Sequence, residues 1–150
     1  MNFTKVFKTG VLGIFAFLSF QVNAQKTVIQ QNELPQTAQT FIKKHFGNET
    51  TTTVIKEVEH LIKTEYDVYL SNGIEIEFDS DGNWKEVKNE NNGALPTGFI
   101  PKSINKYVKQ NFPNTHIVKI EKKRSGFEIE ISNGIDIDFN SKGDFLRIDD

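Results

Sequence analysis

The chain has 150 residues, 18 of them basic and 20 acidic, a net charge of −2 and no cysteine. That balance argues against the strongly basic surface of a nucleic-acid binder. The lack of cysteine excludes disulfides, a thiol nucleophile and a lipid anchor on an N-terminal cysteine, so stability must come from a hydrophobic core.

Residues 1–24 have the three parts of a secretory signal peptide. MNFTKVFK carries Lys5 and Lys8 and no acid, residues 11–20 are apolar apart from Ser19, and small Ala24 closes an A-x-A-like cleavage site. The apolar run is shorter than the roughly 20 residues needed to cross a bilayer. The expectation is a periplasmic or secreted protein cut after Ala24, with no membrane span in the mature chain. Residues 25–33 are polar and are expected to form a flexible tail.

A helix follows. Ala38, Phe41, Ile42, His45 and Phe46 fall on one stripe of a 3.6-residue period. Pro35 suits the first turn, and Gly47 is expected to end the helix as a left-handed cap. TVIKEVEH, YDVYL, IEIEF and WKEV are then four strands joined by short polar connections, which implies an antiparallel meander. This first unit takes residues 34–88. Residues 89–94 link it to a second unit at 95–150 with the same order: a helical stripe of Ile104, Tyr107, Val108, Asn111 and Phe112 opened by Pro101 and stopped by Pro113, then HIVKIEKK, FEIEI, IDIDF and FLRI. SNGI is identical in both units, at residues 71–74 and 132–135. The repeat is the strongest signal in the chain. The expected fold is α+β: tandem duplicated α-β-β-β-β units, with antiparallel meander sheets and helices packed on one face.

The SNG turns fix the register. A two-residue turn would set apolar side chains opposite acidic ones. A three-residue loop with Gly73 left-handed sets Leu70 opposite Ile74, Val68 opposite Ile76 and Tyr66 opposite Phe78. The second unit then pairs Ile131 with Ile135, Ile129 with Ile137 and Phe127 with Phe139. These six pairs are the expected core, and a one-residue slip would turn them all outward.

The same pairing builds the other face. Tyr69 opposes Glu75, Asp67 opposes Glu77, Glu130 opposes Asp136 and Glu128 opposes Asp138. Like charges directly opposite one another are destabilising, by up to about 1 kcal/mol per pair. Lys56, Lys85, Lys119 and Arg147 on flanking strands are expected to offset this within the sheet; a basic protein partner is the other way to relieve it. These eight face residues are the candidate binding site.

Glu77, Asp79 and Asp81 before Gly82 resemble the first half of an EF-hand calcium loop. Position 12 of such a loop would be Lys88, no helix enters it, and the second unit has Asn140 and Lys142 where the first has Asp79 and Asp81. The stretch therefore reads as a strand and its turn, with those three acids a weak cation candidate. No Gly-rich phosphate loop or G-x-S-x-G occurs, and His45, His60 and His116 are far apart. Trp84, equivalent to Phe145, is expected to pack at the end of the sheet.

An export signal, two copies of a Pro-led amphipathic helix, the SNGI-acid-I-acid-F strand and the S-x-G turn together resemble the PepSY-like, beta-lactamase-inhibitor-like family, over residues 34–150. The resemblance implies tandem units whose sheets join into one curved surface with the helices behind, and a binding protein of the periplasm or exterior that is no enzyme. The functional expectation is an exported, non-enzymatic, inhibitor-like or protein–protein binding module that needs no cofactor. A calcium-binding envelope protein is the second reading, and a small hydrolase a third that lacks its constellation.

Overall fold

The computed structural model describes residues 24–60 and 62–149; the signal segment expected over 1–24 lies outside them up to residue 23. Among the described residues, nine strands and two helices follow in chain order: β1 (Gln25–Val28), α1 (Gln36–Phe46), β2 (Thr51–Glu59), β3 (Lys63–Leu70), β4 (Ile74–Phe78), β5 (Trp84–Asn89), α2 (Lys102–Asn111), β6 (Ile117–Lys123), β7 (Gly126–Ile131), β8 (Asp136–Asn140) and β9 (Phe145–Asp149). A short 3-10 turn precedes each helix, Gln31–Glu33 before α1 and Thr97–Phe99 before α2. All nine strands form one antiparallel sheet in which spatial order equals chain order.

The hairpin register is the expected one. Tyr66 pairs with Phe78 and Val68 with Ile76; in the second unit Phe127 pairs with Phe139 and Ile129 with Ile137. Gly73 and Gly134 are left-handed, at φ +82° and +83°, and each donates its N–H to the carbonyl three residues back, Leu70 at 3.1 Å and Ile131 at 2.8 Å. An L side chain is strained there, which is why both loops end in glycine.

Alternate residues of the inner strands join the buried stripes of α1 (Ala38, Ile42, Phe46) and α2 (Ile104, Val108) in one core cluster. The turns after β4 and β8 are pressed under the start of each helix. A Cβ on Gly82 would lie 2.7 Å from Pro35 Cβ and 2.9 Å from the Ala38 nitrogen, and one on Gly143 would meet the Ser103 hydroxyl. Both glycines also have positive φ, +81° and +80°.

Several expectations need correction. Residues 25–33 are not a loose tail: Gln25–Val28 hydrogen-bonds along β2 as an edge strand, and Glu33 closes a capping box on Gln30. Gly47 is not left-handed but right-handed (φ −63°, ψ −13°), because the chain carries on one more helical step before turning; a Cβ there would press on the Lys43 carbonyl. Pro35 and Pro101 sit at the N-caps, one residue before the first turn. Asn111 leaves the buried stripe of α2 and is exposed, its amide donating to the Tyr107 carbonyl at 2.9 Å. The linker begins later than expected, since β5 runs through Asn89, whose buried side chain accepts from the Asn91 N–H at 3.0 Å.

Candidate binding face on the open side of the sheet

The face away from the helices is built by the residues between the buried ones. Strand register carries each side chain across to its neighbour, so a row can be followed strand by strand. Asp67 on β3 pairs with Glu77 on β4, Glu77 with Glu86 on β5, Glu86 with Glu121 on β6, Glu121 with Glu128 on β7, and Glu128 with Asp138 on β8. Six carboxylates thus stand side by side across six strands, at the roughly 4.8 Å spacing of neighbouring strands. The row is bounded by Ile55 on β2 and Arg147 on β9. The adjacent row reads Tyr69, Glu75, Lys88, Lys119, Glu130, Asp136.

All eight candidate residues lie on this face, and the face continues through the β5–β6 join. Glu86 and Glu121 were missed in the sequence reading. Alternation around Ile120 puts Glu121 on this side, but Trp84 and Val87 have opposite parity, so only the bulge at Lys85 puts Glu86 there, and only the pairing of β5 with β6, which has no local signal, makes the row unbroken.

Cations meet part of this charge. Lys85, displaced by the bulge between Glu77 and Phe78, ion-pairs with Glu65 and Glu77. Lys119 reaches Glu86 (3.4 Å) and Glu128 (3.9 Å), Lys123 reaches Glu121 (2.6 Å) and Glu128 (3.5 Å), and Arg147 reaches Asp138 (2.7 Å). Lys56 does not take part: it pairs with Tyr66, whose side chain faces the core, so it projects from the helical side. Asp67, Glu75, Glu130 and Asp136 make no ion pair among the described residues.

The electrostatics follow the pairing. Burial, with Glu77 and Glu75 close by, pushes the Asp67 carboxyl up to about 6. Burial and then Glu75 raise the Tyr69 phenol to about 12. Burial raises Glu86 despite Lys119. Burial lowers the Lys85 ammonium, but its hydrogen bonds to Glu65 and Glu77 outweigh that and raise it.

The three acids of the cation candidate do not converge. Glu77 faces Lys85. Asp79 Oδ1 accepts from the Asp81 N–H (3.0 Å) and the Asn83 N–H (2.9 Å), so the side chain closes its own turn. The second unit does the same with the residue types exchanged: Asn140 Oδ1 accepts from Lys142 N–H (2.9 Å) and Asp144 N–H (3.0 Å). Among the described residues no group of three or more His, Cys, Asp or Glu is placed to hold a metal ion.

The histidines are not gathered. His45 lies on α1 against Phe41 and Phe99, His60 in the β2–β3 turn, and His116 just before β6, its Nε2 2.9 Å from the Asn92 carbonyl. Trp84 packs at the sheet end as expected, stacked on Phe41 with Lys122 Nζ 3.9 Å from its ring centre. Among the described residues no helix is long and apolar enough to cross a membrane.

A family described as "Putative beta-lactamase-inhibitor-like, PepSY-like" matches the chain twice, over residues 20–63 and 64–147. Among solved structures, a "putative periplasmic protein of unknown function" from Bacteroides vulgatus is 38% identical with a TM-score of 0.77, over 84% of this chain and 100% of that one. A "putative calcium-regulated periplasmic protein" from Bacteroides thetaiotaomicron is 34% identical with a TM-score of 0.78, over 83% and 97%. A second B. vulgatus structure, of a "putative periplasmic protein from DUF2874 family", is 38% identical with a TM-score of 0.77, over 84% and 98%. No match is found among curated proteins.

Proposed function

We propose, on the premise that this chain belongs to the PepSY-like, beta-lactamase-inhibitor-like family, that it is a non-enzymatic, exported binding module, made of two duplicated units, that captures a basic protein through the open face of its sheet. The observation that carries the reading is the row Asp67–Glu77–Glu86–Glu121–Glu128–Asp138. Adjacent like charges work against the fold. The lysines and Arg147 relieve the middle of the row and one end, while Asp67, Glu75, Glu130 and Asp136 have no ion-pair partner among the described residues. Such a face steers a cationic partner and binds it in a salt-sensitive way. The periplasmic descriptions of the similar structures fit the signal peptide expected at the N-terminus.

The test is parallel affinity capture by residues 25–150 and by a variant with Glu75, Glu77, Glu128 and Glu130 changed to Lys. A basic protein held by the first at low salt, released by salt and lost by the variant is the expected result. A partner held equally by both removes the face from the site.

A second reading, regulation by calcium, is favoured by one observation: a structure 34% identical to this chain is described as calcium-regulated. Ligand that binds only the folded state must raise the melting midpoint. A melt unchanged by millimolar calcium ends that reading.

A further inference from the structure

Beyond the acidic face, the helical side carries its own signal. Neither helix contains a single Asp or Glu, whereas α1 carries Lys43 and Lys44 and α2 carries Lys102, Lys106 and Lys109. None of these five lysines makes an ion pair among the described residues. The two units also share a groove between each 3-10 turn and its helix, lined at matching positions 66 residues apart. In the first unit Gln31, Gln36, Gln39, Thr40 and Lys43 line it, with Glu49 beside them. In the second, Thr97, Lys102, Asn105, Lys106 and Lys109 do. The supporting backbone contacts are conserved between the two: the Gln39 amide donates to the Leu34 carbonyl at 2.8 Å, and the Asn105 amide to the Ile100 carbonyl at 3.3 Å. One groove is therefore charge-balanced and its twin holds three lysines and no acid.

We infer that the α2 groove binds a linear anionic polymer, an acidic glycan whose carboxylates follow the lysine row. Lys102, Lys106 and Lys109 succeed one another at i, i+4 and i+7, which sets like charges on one helix face, an arrangement unfavourable to an isolated helix. Seven residues of helix span about 10 Å, so the row is a track and not a cup for one phosphate. A lipid surface fits less well. A helix that docks on a membrane inserts apolar side chains beside its basic ones, and among the described residues the exposed large apolar ones (Val28, Ile62, Phe145, Leu146, Ile148) all lie outside the helices. The groove also offers acceptors. The Asn105 amide nitrogen donates to the Thr97 and Ile100 carbonyls, which leaves its Oδ1 available as an acceptor, and the exposed Thr97 hydroxyl can accept as well. Sugar hydroxyls supply donors and polyphosphate does not.

The internal twin makes the test. A fluorescein-labelled oligogalacturonate is titrated at low salt into residues 25–150 and three variants, with amide chemical shifts locating the site. Lys102→Gln with Lys106→Thr dresses the second groove as the first and is expected to weaken binding about tenfold. Gln36→Lys with Thr40→Lys and Glu49→Thr gives the first groove three lysines and no acid, like the second, and is expected to add a second site per chain. Lys43→Gln with Lys44→Gln removes the same charge from α1 and is expected to leave affinity within about twofold. Equal loss in the α1 variant, no loss in the α2 variant, or shifts centred away from α2 overturns the proposal. So does tighter binding of polyphosphate or of anionic vesicles at the same lysines.

Discussion

Strands β5 and β9 follow similar turns but lie in two settings. Both follow an S-x-G turn and both carry a bulge just after their first residue, with Trp84 against Phe78 and Phe145 against Phe139. Val87 then pairs with Ile76 as Ile148 pairs with Ile137. Yet Val87 is fully buried, while Ile148 is 42% exposed and every residue of β9 is open to solvent. The difference is the next strand. β5 has β6 along its far side, and its Trp84 is covered by Phe99 and Lys122. Phe145 has Tyr107 stacked at 4.8 Å and stays 42% exposed. Local pattern sets conformation here, and the neighbour sets energy.

The strongest perturbation should erase the contrast rather than reveal it. Phe78→Ala and Phe139→Ala each empty a core site in their own unit and should each cost about 4 kcal/mol by urea unfolding. A difference of more than about half that between them would mean that the two units are not equivalent in the core.

The turn glycines should separate the units. Gly82→Ala meets Pro35 and the Ala38 backbone, neither of which can retreat, and should cost about 3 kcal/mol. Gly143→Ala meets a serine hydroxyl that can rotate away, leaving only the left-handed strain of about 1 kcal/mol. Equal losses would place all of the cost in φ.

The strand contrast itself is measured by Val87→Ala, expected to cost about 2 kcal/mol, against Ile148→Ala, expected to cost less than about 1 kcal/mol. If Ile148→Ala costs as much, β9 is covered in solution.

The smallest effect is electrostatic. Burial and its acidic neighbours raise Asp67 in the fold to about 6, above its ordinary value of 3.8. The folded form therefore binds the proton more tightly, and its charged state works against the fold above that pKa. The cost is full above about pH 7 and disappears as pH falls through about 6 to about 4. Asp67→Asn should raise stability at pH 8 by about 1 kcal/mol, after allowing for solvent screening, and change little at pH 4. An equal gain at both pH values would point to hydrogen bonding instead of charge.

Most of the hairpin architecture was legible in the sequence, because period-2 alternation and an SNG loop leave one register that buries Val68, Ile76, Ile129 and Ile137 together. The eight candidate residues followed from the same parity. What escaped was non-local or weakly coded. β1 has no buried residue and no apolar alternation, so only β2 reveals it. The β5–β6 join follows α2 in the chain, and nothing in KEVK announces IVKIE as its partner, so Glu86 and Glu121 stayed out of the row. Gly47 departs from expectation because a left-handed glycine is a common but not obligatory way to end a helix, and nothing local in the sequence distinguishes the two.

One consequence of the strand order is kinetic. Each strand pairs only with its predecessor and successor in the chain, so the contacts that build the sheet are short-range in sequence. Such a topology folds early and locally, because little loop entropy is lost before contacts form. Only two pairings must wait for a longer loop to close, β1 with β2 across α1 and β5 with β6 across α2. The second of these completes the acidic row, so the continuous face is assembled only when the two units have already taken shape.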